Sequence, residues 1–135
     1  MKKLLLILLV SGVLLLITNL VFSFHDFKEV PVQLEVSVYD SANDEFGEAV
    51  LIDDQEEIED FIQSVNKAGH ENGAYEVTRF EDYKVRMVYK DGSTDTLRLW
   101  LNFGDDFDMF QTDKTVGIYK LKNDGAREVI REILE

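Results

Sequence analysis

The sequence predicts an α+β fold, an antiparallel β-sheet with two helices on one face, and three patterns predict it. Several strand-length runs alternate apolar and polar residues, tight polar turns such as Asp91-Gly92-Ser93 separate them, and two other stretches carry apolar residues at helical spacing. Alternating strands leave one dry face and such helices one dry stripe, so each covers the other. The expected element order is β-β-α-β-β-β-β-α, in one domain over residues 32–135, preceded by an apolar segment at 1–24 and a tether at 25–31. About 110 residues hold one core and leave no room for a second.

The apolar segment is MKKLLLILLVSGVLLLITNLVFSF, in which Lys2 and Lys3 precede an uncharged run from Leu4 to Phe24. At about 1.5 Å per residue a helix of that length spans about 30 Å, the thickness of a bilayer hydrocarbon core. The run is longer than the about 7 to 15 apolar residues of a cleaved signal. An uncleaved signal-anchor crossing the membrane through residues 4–24 is therefore expected; a cut after Ser23, behind Val21-Phe22-Ser23, would instead release a secreted protein. The chain has no cysteine, which excludes a lipidated terminus and any disulfide. Lys2 and Lys3 flank one end, and His25-Asp26-Phe27-Lys28-Glu29 flanks the other without net positive charge. The positive-inside rule then puts the N-terminus in the cytoplasm and the domain outside. Pro31, the single proline, ends a tether from His25 that reaches at most about 25 Å.

Each element of the domain has its own signal. Residues Val32 to Tyr39 alternate for eight positions as a half-buried strand, Asp40 to Glu45 form a polar turn, and Glu48 to Ile52 form a second short strand. Asp53-Asp54-Gln55-Glu56-Glu57 opens a helix, with either aspartate as cap and a glutamate three residues on. Its stripe is Ile58, Phe61, Ile62 and Val65, and Gly69 is a C-terminal stop. Gly69 to Asp82 is the least regular stretch, with Tyr75 to Phe80 as a short strand. In the clearest hairpin, Tyr83, Val85, Met87 and Tyr89 face one way, as do Leu97, Leu99, Leu101 and Phe103 after the Asp-Gly turn. Phe107 to Gln111 and Thr115 to Leu121 form a final hairpin. Asn123 or Asp124 caps a closing helix with the stripe Ala126, Val129, Ile130, Ile133 and Leu134.

The acidic helix start, the Tyr83-Lys-Val-Arg-Met-Val-Tyr-Lys-Asp-Gly92 and Leu97-Arg-Leu-Trp-Leu101 strands, Gly117-Ile-Tyr-Lys-Leu121 and the closing helix carry a resemblance. Over residues 32 to 134 the chain is similar to the small YhfM-like extracytoplasmic domains of Bacillus and related Gram-positive bacteria. The resemblance implies the same α+β domain outside the membrane and carries over no functional residue. Many members bear a lipobox cysteine; here the apolar segment would take the place of the lipid.

Beyond the first 24 residues the chain keeps 12 basic and 27 acidic groups, a net charge of −15. That charge repels phosphate backbones and excludes nucleic-acid binding. It also repels anionic headgroups, so the domain is expected to stand off the membrane, and it keeps an exposed domain soluble.

Three residue groups are candidates for chemistry. Lys84, Arg86, Arg98 and Trp100 lie on the strand side away from the apolar residues. Tryptophan beside arginine is the composition of an interaction hot spot, against a plain Arg–Trp cation–π pair. Asp105, Asp106, Asp108 and Asp113 supply oxygens for a weak calcium site, although their spacing does not match an EF-hand loop and a solvated turn explains them as well. His70 lies in the irregular stretch and His25 beside the membrane. The chain has no cysteine and no serine in a Gly-x-Ser-x-Gly turn to act as nucleophile, and two distant histidines give no zinc spacing. Acidic pairs for a hydrolase are so abundant that counting them selects none. The sequence therefore points to a non-enzymatic, cofactor-free binding module with a protein or envelope partner. The alternative is a calcium-dependent structural module or a hydrolase using surface carboxylates.

Overall fold

The structure, a computed structural model, describes residues 27–73 and 77–135. In chain order the elements are β1 (Gln33–Asp40), β2 (Glu45–Phe46), β3 (Val50–Ile52), α1 (Gln55–Val65), β4 (Gly69–Glu71), β5 (Tyr83–Val88), β6 (Thr94–Gly104), β7 (Phe107–Thr112), β8 (Thr115–Leu121) and α2 (Asp124–Leu134). The protein is α+β, with one sheet in the order β2-β1-β5-β6-β7-β8-β4 and β3 also pairing with β1. Every strand pair is antiparallel. Residues 1–26 lie outside the described set, and with them the expected membrane-spanning segment. Among the described residues no helix is long and apolar enough to cross a membrane.

Both helices start where their caps predict. Asp54 accepts from the Glu57 backbone N–H at 3.0 Å and Asn123 from that of Ala126 at 2.9 Å, each satisfying a donor of the first turn. Ile58, Phe61, Ile62 and Val65 of α1 and Ala126, Ile130 and Leu134 of α2 enter one core. That core includes Leu34, Val36, Tyr83, Val85, Met87, Leu97, Leu99, Phe110, Tyr119 and Leu121 from five strands. These strand residues share the parity that the alternation predicts, and both helices lie over that face.

The structure departs from the expected order in short elements. β2 forms at the end of the stretch read as a turn and one residue past it, because Tyr39 and Asp40 at the end of β1 offer backbone partners to Phe46 and Glu45. The helix stops at Asn66 rather than Gly69, and Gly69 instead begins β4 beside β8. Gly117 makes that pairing possible: its φ is +97°, and a Cβ there would sit 2.3 Å from the Glu71 carbonyl oxygen. Of the short strand expected at Tyr75 to Phe80, residues 77–80 are irregular and the rest lie outside the described residues.

Of the residues expected to form a tether, 25 and 26 lie outside the described residues, and the chain is docked on the domain from Phe27 onward. Phe27 donates its N–H to Asn66 Oδ1 at 2.7 Å, and Asn66 Nδ2 donates back to the Phe27 carbonyl at 3.2 Å. The Phe27 ring lies 6.2 Å from Phe110 and 6.1 Å from Tyr119, which stack on each other at 4.7 Å. Pro31 is buried, and the Val32 N–H donates to the Val88 carbonyl.

In β6 the alternation breaks. Pairing with β7 shifts register between Trp100 and Gly104, and Asn102 takes a left-handed φ of 48°. This bulge keeps Leu101 against the helix-side core but sends Phe103 to the opposite face, beside Trp100, Met109 and Ile118. The Asn102 side chain turns toward α2, where its Oδ1 accepts from Arg127 at 2.9 Å and Arg131 at 3.2 Å. Next to it Asp108, fully buried, accepts from the Asn102 N–H at 2.8 Å, from Arg127 at 3.2 Å and from two nitrogens of Arg131 at 3.0 Å.

Removing one partner of a buried charge cluster leaves the others desolvated, a loss of about 3 kcal/mol or more. Asp108→Ala is expected to lower the urea midpoint accordingly with the m-value unchanged. A variant as stable as the wild type would show that α2 is held by its apolar stripe alone.

Candidate functional site

The strand register places Lys84 beside Arg98 and Arg86 beside Thr96, on the face away from the helices. Each cation has an acidic neighbour. Lys84 lies 3.7 Å from Glu81, Arg86 2.6 Å from Glu35 and Arg98 3.9 Å from Asp113. The exposed Arg98–Asp113 pair contributes about 0–1 kcal/mol, and the three pairs together turn an expected basic patch into a face of alternating sign. Lys84 also lies over the Phe46 ring at 3.9 Å.

Trp100 belongs to this face but not to its surface, being only 3% exposed. Residues 77–82 fold over it. The indole Nε1 donates to the Arg79 carbonyl at 3.1 Å, and Met109, Ile118, Val77, Phe103 and Phe107 surround the ring. Further bonds brace the covering segment and tie it to β6. Arg79 donates to Asp82 and to the Leu101 carbonyl, and Asp82 accepts from the Leu101 N–H at 2.7 Å. The exposed tryptophan expected from alternation is thus a buried floor, and a cation–π pair with arginine is replaced by an apolar cage.

Above that floor lies a groove of about 380 Å³ between Val77–Glu81 and the side chains of Arg98, Trp100 and Gln111. Its rim carries Phe80, 57% exposed, which stacks on Tyr39 at 5.1 Å. Lys84 and Arg86 do not line it. Arg79, Phe80 and Gln111 do, and sequence reasoning missed them. The stretch holding Arg79 and Phe80 has no periodicity, so nothing in it signals which face of the sheet it crosses.

The structure does not bring the four aspartates together. Asp105 and Asp106 are exposed in the β6–β7 turn, and Asp113 is exposed in the turn at the other end of β7. Asp108 is buried beneath α2, its oxygens taken by two arginines. Hairpin geometry separates the two turns by the length of β7, so no shared calcium shell forms. Among the described residues no group of three or more His, Asp or Glu could hold a metal ion. His70 lies in β4 with its ring 4.7 Å from Tyr119 and its Nε2 2.8 Å from the Val116 carbonyl oxygen. His25 lies outside the described residues.

One buried acid stands apart from these candidates. Asp95 on β6 is 6% exposed, and one of its carboxylate oxygens has no hydrogen-bond partner. Burial pushes its carboxyl above the ordinary value, while the Lys114 charge pulls the other way. Tyr89 is pushed up to about 12, by its own burial first and by the Asp95 charge second.

An acid raised in the folded state binds its proton more tightly there than in the unfolded chain. Asp95 therefore costs stability as pH rises from its unfolded value to its raised folded one, and the cost persists above that. Asp95→Asn is expected to raise the melting temperature at pH 7, with the gain shrinking as pH falls from the raised folded value toward about 4 and absent below it. A gain independent of pH would show that charge is not its cause.

No curated protein matches the chain, and no solved structure does. The family model described as YhfM protein matches residues 33–135, from the first residue of β1 to the last of the chain. The chain belongs to the YhfM family.

Proposed function

We propose that the protein is a membrane-anchored, extracytoplasmic binding module that grips a protein or envelope partner in the groove above Trp100. The observation that carries this reading is the groove itself. It is concave, floored by an aromatic residue, and edged by the half-exposed Arg98 and the exposed Phe80 on a domain otherwise dominated by acids. Apolar anchors beside arginine, inside a recess rather than on a flat sheet, are the composition on which partner binding concentrates. The partner chemistry it favours is an apolar side chain next to a carboxylate, the first for the Phe80–Trp100 rim and floor, the second for Arg98. The non-enzymatic reading rests on the sequence, which supplies no nucleophile in an activating context, and the anchored reading on the uncharged run Leu4–Phe24.

Trp100 is the wrong residue to mutate as a probe, because emptying a buried aromatic site costs about 3–5 kcal/mol of stability whatever its partner. Arg98→Glu with Phe80→Ser changes only the rim. In native membranes crosslinked and analysed by mass spectrometry, this double variant is expected to lose the wild type's crosslinked partner at an unchanged melting temperature. Retention of every partner would remove the groove as the site.

The same spectra test the anchor separately. The mature chain is expected to keep Lys2 and Lys3; a mature N-terminus at Phe24 would show that the segment is a cleaved signal.

A further inference from the structure

We infer that a lysine-lined hollow at the β4–β8 edge holds the phosphate of an anionic phospholipid and so sets the orientation of the domain on its membrane. This rests on the anchored reading above. The hollow has a volume of about 370 Å³ and is lined by Lys67, His70, Glu71, Lys120, Lys122 and Asn123. Among the described residues its lining carries three lysines and one glutamate, on a domain of net charge −15. Lys120 lies 3.4 Å from Glu71 and so meets that acid's charge, while Lys67 and Lys122 are exposed.

Position selects the occupant. Phe27 is pinned by both hydrogen bonds to Asn66, and Lys67 is the next residue. The Phe27 ring rests on Tyr119, which also contacts the ring of His70 in the hollow's wall. The hollow is therefore adjacent to the point where the chain enters the domain. Only His25 and Asp26 separate Phe27 from Phe24, the end of the uncharged run. Three residue steps reach at most about 11 Å, less than half the reach of a tether free as far as Pro31. With residues 4–24 in the bilayer, headgroups lie within reach of this edge.

The net charge does not oppose such a contact. Screening falls off over about 8 Å at physiological ionic strength, whereas a domain of this size has a radius of gyration of about 13 Å. Acids on the far side are screened from the membrane, and the lysines at the near edge are not. Repulsion of the remaining acids then orients the domain, lysine edge down, rather than lifting it away as the net charge alone suggests.

The test uses the full-length chain in lipid nanodiscs of phosphatidylcholine, with or without phosphatidylglycerol. The chain has no cysteine, so Asn72→Cys beside the hollow takes one fluorescent label, read by energy transfer to a headgroup dye. Phosphatidylglycerol is expected to raise the transfer. Lys67→Gln with Lys122→Gln, both at exposed positions, is expected to lower the ratio of docked to undocked protein by roughly thirtyfold, at about 1 kcal/mol per lysine near an anionic surface. Inorganic phosphate is expected to compete more strongly than chloride at equal ionic strength. Equal competition would show general screening and overturn the site. Phosphate binding in phosphatidylcholine discs as strong as the docking seen with phosphatidylglycerol would assign the hollow to soluble phosphate and overturn the lipid. Insertion without any dependence on lipid charge would overturn the headgroup contact and leave the anchor standing; failure to insert in any disc would overturn both.

Discussion

The carboxylate of Asp108 is the constraint on which much of the domain turns. It is fully buried and is met by a backbone N–H and by both arginines of α2. A buried charge is tolerable only when such partners are in place, so the position of α2 over β6 and β7 follows from it. The Asn102 N–H reaches Asp108 because β6 bulges there, and the bulge needs a residue that accepts a positive φ. Asparagine does so more readily than most side chains. Its Oδ1 then accepts from the same two arginines. Strand irregularity and helix docking are two ends of one network.

The bulge also shapes the opposite face. By moving Phe103 across the sheet it assembles an apolar island of Trp100, Met109 and Ile118 with Phe103, Phe107 and Val77 around it. An island of that size facing water would be unfavourable, and the segment from Val77 to Asp82 covers it. The cover is tied by backbone bonds only at Asp82 and elsewhere by polar bonds to β6, so it leaves a recess instead of a continuous sheet. The groove is a by-product of covering a second core with a segment that does not pair.

Charge follows the same logic on a larger scale. A domain of net charge −15 places its arginines where each serves a nearby acid: Arg127 and Arg131 at Asp108, Arg86 at Glu35, Arg79 at Asp82. Three lysines, Lys67, Lys120 and Lys122, line the hollow at the β4–β8 edge beside Phe27.

Much of the fold was legible in the chain, and for a local reason. Helix caps at Asp54 and Asn123, the Asp91-Gly92 hairpin and the parity of Tyr83, Val85, Met87, Leu97 and Leu99 depend on neighbours within a few residues, and such signals are written into sequence directly. The candidate site was legible only in part. Arg98 and Trp100 were found by alternation, while Arg79, Phe80 and Gln111 were not. What covers Trp100, where Phe27 docks, why β4 pairs with β8 and which aspartate is buried are settled by partners 21 to 46 residues distant in the chain. No local periodicity encodes those distances. By itself the sequence determined the α+β class, the acidic surface and an apolar segment long enough to span a bilayer. The tertiary structure alone decided which polar residues were buried and which apolar ones were covered, because burial is a property of contacts and not of spacing.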